Sequence, residues 1–270
     1  MGETVYAAKA VLHHFEEPII SGSRGSGTIF FSGCPLRCCF CQNYPISHEG
    51  IGKEVITERL SEIYQELWQE GAHNINLVNP THFSRPILES LKRDKRDIPL
   101  PFIWNSSGYE KPETLRSLEG LVEVYLPDLK YMSPTLSERY SGARDYFEYA
   151  SKAILEMYRQ VGGVRLNAQG IIEKGLVIRH LVLPNATHDS IKLLHWIKEN
   201  VPDDAYISLM GQYTPFSGRK LPKGLERKLS AREYGLVVQK LKDFGFQKGF
   251  IQELESACTD YTPDFDLKGL

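Results

Sequence analysis

Short apolar runs and amphipathic stretches take turns along this chain of 270 residues, and that alternation restricts the fold more than any other feature. Six runs read as strands, over 27–33, 74–79, 102–106, 122–128, 176–184 and 205–210. The first, Gly27-Thr-Ile-Phe-Phe-Ser-Gly33, is β-branched and aromatic and is bounded by glycines. After Thr57, the apolar residues Leu60, Ile63, Tyr64, Leu67 and Trp68 recur at helical spacing and stop at Gly71. Further helices are expected over 84–93, from Pro112, from Ser133-Pro134, over 145–161 and over 190–199. Ser230 and Glu233 form a capping-box pair for a last helix carrying Leu236, Val237, Leu241 and Phe244, with a short strand or tail pairing after it over 250–254. Strand then helix, repeated six times, predicts a parallel sheet with right-handed crossovers. Six units are too few to close an eight-stranded barrel.

The first strand runs directly into a cysteine loop. Four of the five cysteines fall within eight residues, and Cys34, Cys38 and Cys41 have the spacing C-x3-C-x2-C. Three thiolates suit a four-iron cubane and leave one iron open to chelation by a small molecule. A zinc site is the competing reading. Structural zinc usually takes two ligand pairs well apart in sequence, whereas the distant cysteine here is Cys258, so a three-cysteine site would need a histidine such as His48. A disulfide framework belongs to small secreted chains and does not suit this one. Cys39, between two expected ligands, reads as a small buried residue.

With 41% hydrophobic residues the chain can bury a sizeable core as one domain. A net charge of −2 gives no footprint for nucleic acid. No signal-peptide pattern opens the sequence and no eighteen apolar residues run together, so neither a membrane nor an oxidising compartment is expected, and the cytoplasm is. Five cysteines suffice for one cluster only.

Barrel active sites gather at the carboxyl ends of the strands. The second strand runs into Asn79-Pro80-Thr81-His82, the third into Asn105-Ser106-Ser107-Gly108-Tyr109 and the fourth into Asp128-Leu129-Lys130. The fifth contains Arg179-His180 and the sixth ends in Gly211-Gln212-Tyr213. Asn105 and Asp128 each have a turn-forming role as an alternative. Adjacent strand residues face opposite ways, so one of Arg179 and His180 points inward. Arg179 is the expected one, with a ligand carboxylate as its partner, and His180 reads as a hydrogen-bonded structural residue.

These motifs resemble the radical S-adenosyl-L-methionine (SAM) enzymes. Gly-Ser-Gly-Thr-Ile-Phe-Phe-Ser-Gly-Cys, Cys-Gln-Asn-Tyr, Pro-Thr-His, Asn-Ser-Ser-Gly-Tyr, Asp-Leu-Lys-Tyr-Met and Arg-His-Leu-Val-Leu-Pro are similar to the single-cluster group called pyruvate formate-lyase activating enzyme-like. Glu16-Glu17-Pro18 and Leu-Met-Gly-Gln-Tyr fit the same group, so the likeness extends from about Leu12 to Phe265. The resemblance implies an α/β fold, the open six-stranded partial (β/α)6 TIM barrel of the radical SAM type. It divides the chain into an N-terminal extension over 1–26, the barrel over 27–254 and a tail over 255–270. It implies a [4Fe-4S] cluster on Cys34, Cys38 and Cys41, with SAM as cofactor. Phe40 would lie by the adenine, Asn105, Ser106 and Ser107 by the ribose, and Asp128 and Lys130 by the SAM carboxylate; Arg179 and Gln212 complete the pocket. Activating enzymes carry Gly-Gly-Glu at the second strand for the methionine amino group. This chain has Asn79, Thr81 and His82 in that region, with Thr81 or His82 as the expected substitute. The implied chemistry is hydrogen abstraction by a 5'-deoxyadenosyl radical, fed by an external electron donor of the flavodoxin or ferredoxin type. The substrate is either a glycyl-radical enzyme or other protein, or else a small molecule or peptide. A cluster-binding electron carrier or sensor is the non-enzyme alternative. The basic loop from Arg219 to Lys228 reads either as a docking site for an acidic partner or as a solvated loop.

Overall fold

The computed structural model describes residues 4–215, 221–254 and 262–270. Cys258, Arg219 and Lys220 lie outside the described residues. The strands are β1 (Thr4–His13), β2 (Ser26–Phe31), β3 (Lys53–Ile56), β4 (Ile75–Val78), β5 (Phe102–Ser106), β6 (Val124–Pro127), β7 (Arg165–Leu166), β8 (Ile172–Leu181), β9 (Tyr206–Met210) and β10 (Gly249–Ile251). Six of them, β2, β4, β5, β6, β8 and β9, lie side by side in that order and are parallel. They are the six units expected from the alternation. A short β10 continues the parallel set beyond β9, while β1 and β3 extend the other edge antiparallel. The sheet therefore stays open, as a partial (β/α)6 barrel. Among the described residues no helix is long and apolar enough to cross a membrane.

The two-residue period of the strands separates two interiors. Phe31, Leu77, Trp104, Tyr125, Ile178 and Ile207 face outward into the main core with the surrounding helices. Ile103, Val124, Leu126 and Val177 face inward, at the amino half of the barrel, where Ile19 and Ile20 join them from the short helix Pro18–Ser21. The β1–β2 connection thus plugs the barrel floor. Two residues further along the inward rows come Asn105, Asp128, Arg179 and Ser208, so the inner face turns polar towards the carboxyl ends.

The first 26 residues, read from sequence as an extension, contribute β1 to the same sheet. Lys9 sits in the middle of β1 and is 8% exposed. Its ammonium reaches Asp266 at 2.9 Å and the Asp264 carbonyl at 2.7 Å, so the charge is met by residues from the far end of the chain. The same segment bonds β1 through Leu267 N–H to the Ala8 carbonyl and Ala10 N–H to the Lys268 carbonyl. Ser230 and Glu233 form the expected capping box at the head of the helix Ala231–Asp243.

Candidate active site

The cysteine loop leaves the carboxyl end of β2 and packs on the helix Pro134–Ser141. Arg37 N–H donates to the Ser141 carbonyl and Cys39 N–H to the Tyr140 carbonyl. Each of the three spaced thiols meets a donor: Leu36 N–H is 3.4 Å from the Cys34 sulfur, Ser141 Oγ 3.0 Å from Cys38 and Ser47 Oγ 3.2 Å from Cys41. All three line one cavity, which Cys39 does not. Burial, reinforced by the neighbouring thiols, pushes Cys34 up to about 12; burial likewise pushes Cys38 up to about 11. Buried thiols of this kind need a cation to become ligands. A zinc ion asks for ligands that close on a single point. A cubane asks for something different, one thiolate on each of three separate irons, and the three cysteines around one cavity suit it.

The cavity measures about 240 Å3 and opens at the carboxyl ends of the parallel strands. Phe40, Asn79, Asn105, Ser106, Ser107, Asp128, Lys130, Arg179 and Gln212 line it together with the cysteines. Thr81 and His82 do not. Thr81 donates to Glu110 Oε1 at 2.8 Å, and His82 places Nε2 2.6 Å from the Ser32 carbonyl. Asn79 turns the chain at the end of β4 with φ 61° and donates its amide to the Gly33 carbonyl, so the β4 end supports the cysteine loop.

Across the barrel runs a ladder of alternating charge. Lys130 Nζ lies 2.6 Å from Asp128, whose other oxygen accepts from Arg179 Nε at 3.2 Å. Arg179 also donates to Glu16 Oε2 at 3.0 Å and to Asn105 Oδ1. Glu16 Oε1 accepts from Asn76 at 3.1 Å and Asn105 at 3.2 Å. Burial pushes the Asp128 carboxyl up, but Lys130 and Arg179 outweigh it and hold it below the usual carboxylate range. The expected partner of Arg179 was a ligand carboxylate. Two of the chain's own carboxylates, Glu16 and Asp128, already flank it, and Lys130 shares Asp128 with it on the side of the cysteines. His180 faces the other way, 1% exposed, with Nδ1 2.7 Å from the Leu129 carbonyl.

One tyrosine ties two of the strand ends together. Tyr146 Oη accepts from Lys130 N–H at 3.0 Å and lies 2.9 Å from both the Ser107 and the Asp128 carbonyls. Gly108, at φ 74°, lets β5 turn directly against the Asp128 carbonyl; a Cβ there would collide with it.

Sequence reasoning missed Glu16 as a site residue, and with it His13, Phe15 and Phe30, which form an aromatic wall of the same cavity. The available signal was the pair Glu16-Glu17 ahead of a proline, together with an inward arginine in need of an anion. Glu17 is 8% exposed, and burial pushes its carboxyl up against the partial offset of Arg179.

Residues 28–197 match the Radical SAM superfamily. An uncharacterized protein of Methanocaldococcus jannaschii is 30% identical over 237 residues, which cover 84% of this chain and 64% of that protein. SuiB of Streptococcus suis bound to the precursor peptide SuiA superposes with a TM-score of 0.58 at 14% identity, over 83% of this chain and 48% of SuiB. A domain of a pyruvate-formate lyase-activating enzyme from Bacteroides vulgatus superposes at 0.50 with 15% identity, over 67% of this chain and all of that domain. At such identities the likeness is one of fold. The chain spans less than two thirds of the length of the methanogen protein and about half that of SuiB.

Proposed function

Because the chain belongs to the radical SAM superfamily, whose members use a [4Fe-4S] cluster and SAM, we propose that it cleaves SAM reductively and abstracts hydrogen from a substrate in the same cavity. The observation that carries this reading is the meeting of Cys34, Cys38 and Cys41 with Asn105, Asp128 and Lys130 in one cavity at the strand ends. The cluster, when bound, supplies the electron for SAM cleavage to methionine and the 5'-deoxyadenosyl radical. The protein's share is placement and protection. The donors from Leu36, Ser141 and Ser47 face the three sulfurs and would stabilise their negative charge. Lys130 would hold the SAM carboxylate, Asn105 to Ser107 the ribose and the backbone at Phe40 the adenine. The apolar wall of Phe30, Ile46, Val78, Leu181 and Met210 limits water and stray hydrogen donors around a reactive radical.

The substrate has two readings. Asp128-Leu129-Lys130 supports a glycyl-radical activase, since it matches the fourth-strand motif of the activating enzymes. The second-strand geometry supports a small molecule or peptide instead, because Thr81 and His82, the candidates for the Gly-Gly-Glu contact, bond to Glu110 and to the Ser32 carbonyl and do not line the cavity. Anaerobic reconstitution should load about four irons per chain. SAM and a strong reductant should then release 5'-deoxyadenosine; a loaded cluster that leaves SAM intact refutes the proposed chemistry. A doublet radical signal on a co-encoded glycyl-radical enzyme supports the activase. Isotope transfer into 5'-deoxyadenosine from a low-molecular-weight fraction assigns the other class.

A further inference from the structure

The functional reading calls for an electron from outside, and the surface behind the cysteine loop has the charge to receive its carrier. Arg37 lies inside the loop, one residue from Cys38, and is exposed. Its backbone N–H is fixed to Ser141, whose hydroxyl touches the Cys38 sulfur. Arg139 is on the same helix, exposed, and its guanidinium lies over the Tyr140 ring at 5.5 Å. The basic loop comes to the same place: Arg139 Nη2 donates to the Lys223 carbonyl at 3.1 Å. Tyr213 anchors that loop through the Leu225 carbonyl, and its ring meets Phe40 of the cysteine loop at 6.2 Å. Three segments far apart in sequence therefore meet beside the cysteine loop, each with an exposed basic residue.

That face has an excess of positive charge. Among the described residues, Arg37, Arg139 and Lys223 have no carboxylate partner, whereas the nearby Glu138 and Glu233 are already held by Arg144 and Arg227, each at 2.7 Å. Glu226 is the exposed acid of the loop that stands against them. A whole-chain charge of −2 makes this local excess a departure from the rest of the surface.

We propose that the face formed by Arg37, Arg139 and Lys223 docks an acidic one-electron carrier protein and admits its electron to the cluster. The proposal rests on the radical SAM reading. One electron passes from the carrier's reduced centre to the cluster; the carrier is oxidised by one, the cluster is reduced by one, and no bond or proton is exchanged. Clustered cations of this kind raise the encounter rate with an acidic partner by about ten- to a thousandfold, and salt screens the effect.

The test uses the cluster-loaded protein and a purified plant-type ferredoxin, following bleaching of the cluster absorbance anaerobically and the affinity of the complex. Arg37→Glu combined with Arg139→Glu and Lys223→Glu should slow reduction by about tenfold or more at about 50 mM salt and flatten its salt dependence. The double variant Arg37→Glu, Lys223→Glu keeps the Arg139 contacts and should give a smaller loss in the same direction. Reduced methyl viologen, itself a cation, should reduce wild type and variants without that loss, and Lys92→Glu on an outer helix should leave the ferredoxin rate unchanged. Equal ferredoxin rates and salt slopes in wild type and both variants would overturn the docking face. Failure of the wild type to bind any cluster would sink the functional reading, and this proposal with it.

Discussion

Glu16→Gln tests the charge ladder where its cost can be worked out. The carboxylate is 10% exposed and receives donors from three sides: Asn76 and Asn105 on one oxygen, Arg179 on the other. An amide of the same size has one acceptor oxygen and one donor nitrogen. Whichever way it turns, the nitrogen faces a donor, so one charge-assisted contact or a pair of amide contacts is lost. A hydrogen bond to a charged group is worth about 1.5–3 kcal/mol. Removing the sole partner of a buried ion costs about 3–5 kcal/mol, but Arg179 keeps Asp128 and Asn105 here. The expected loss of unfolding free energy is therefore about 2–3 kcal/mol. Denaturant unfolding of the metal-free protein would measure it, for Glu16→Gln, Arg179→Met and the two combined. The cycle should return a coupling of about 1.5 kcal/mol or more, since each single change already breaks the shared contact. A coupling below about 0.5 kcal/mol is the additivity expected of unconnected sites, and would mean that Glu16 and Arg179 do not hold one another.

Ala in place of Cys34, Cys38 or Cys41 should abolish cluster loading, while Cys39→Ala and Cys258→Ala should retain it, as iron and sulfide analysis would show. Lys130→Met should weaken SAM binding about ten- to 150-fold at unchanged iron content, a shift readable by titration calorimetry under anaerobic conditions. Burial lowers the His180 pKa to about 4, so its neutral form contributes fully above the usual 6.5 and stability drains away as pH falls from there towards 4, where the unfolded chain binds the extra proton. His13 behaves in the same sense, while the raised carboxyls of Glu17 and Glu110 act in the opposite one. The difference between wild-type and His180→Gln profiles isolates the single group, and should change by up to about 1.4 kcal/mol per pH unit within that window. A flat difference would count against a buried neutral imidazole.

Strand periodicity and the cysteine spacing made the barrel and its metal loop legible because both are local. Gly27 to Gly33 announces a strand within seven residues, and three thiols within eight announce a shared ligand. What stayed hidden depends on distance. Glu16 looks like a loop charge until Arg179, 163 positions later, is placed beside it. Thr4–His13 carries a lysine at its centre, which argues against a buried strand until Asp264 and Asp266 arrive to meet it. Thr81 and His82 occupy the right strand end yet face away from the cavity, because Glu110 and the Ser32 carbonyl offer them partners that no local pattern reveals. Alternation did separate Arg179 from His180, since facing is a property of neighbours in the chain.

The hydroxyl of Tyr146 gives the ends of β5 and β6 a common datum. Ser107, Asp128 and Lys130 are all bonded to one atom on the helix Tyr146–Val161, so a single hydroxyl ties the spacing of the two strand ends. Errors in position become correlated rather than independent. A ligand that spans both strand ends would then meet a gap referred to that one hydroxyl, and Tyr146→Phe would remove all three contacts without emptying the core around the ring.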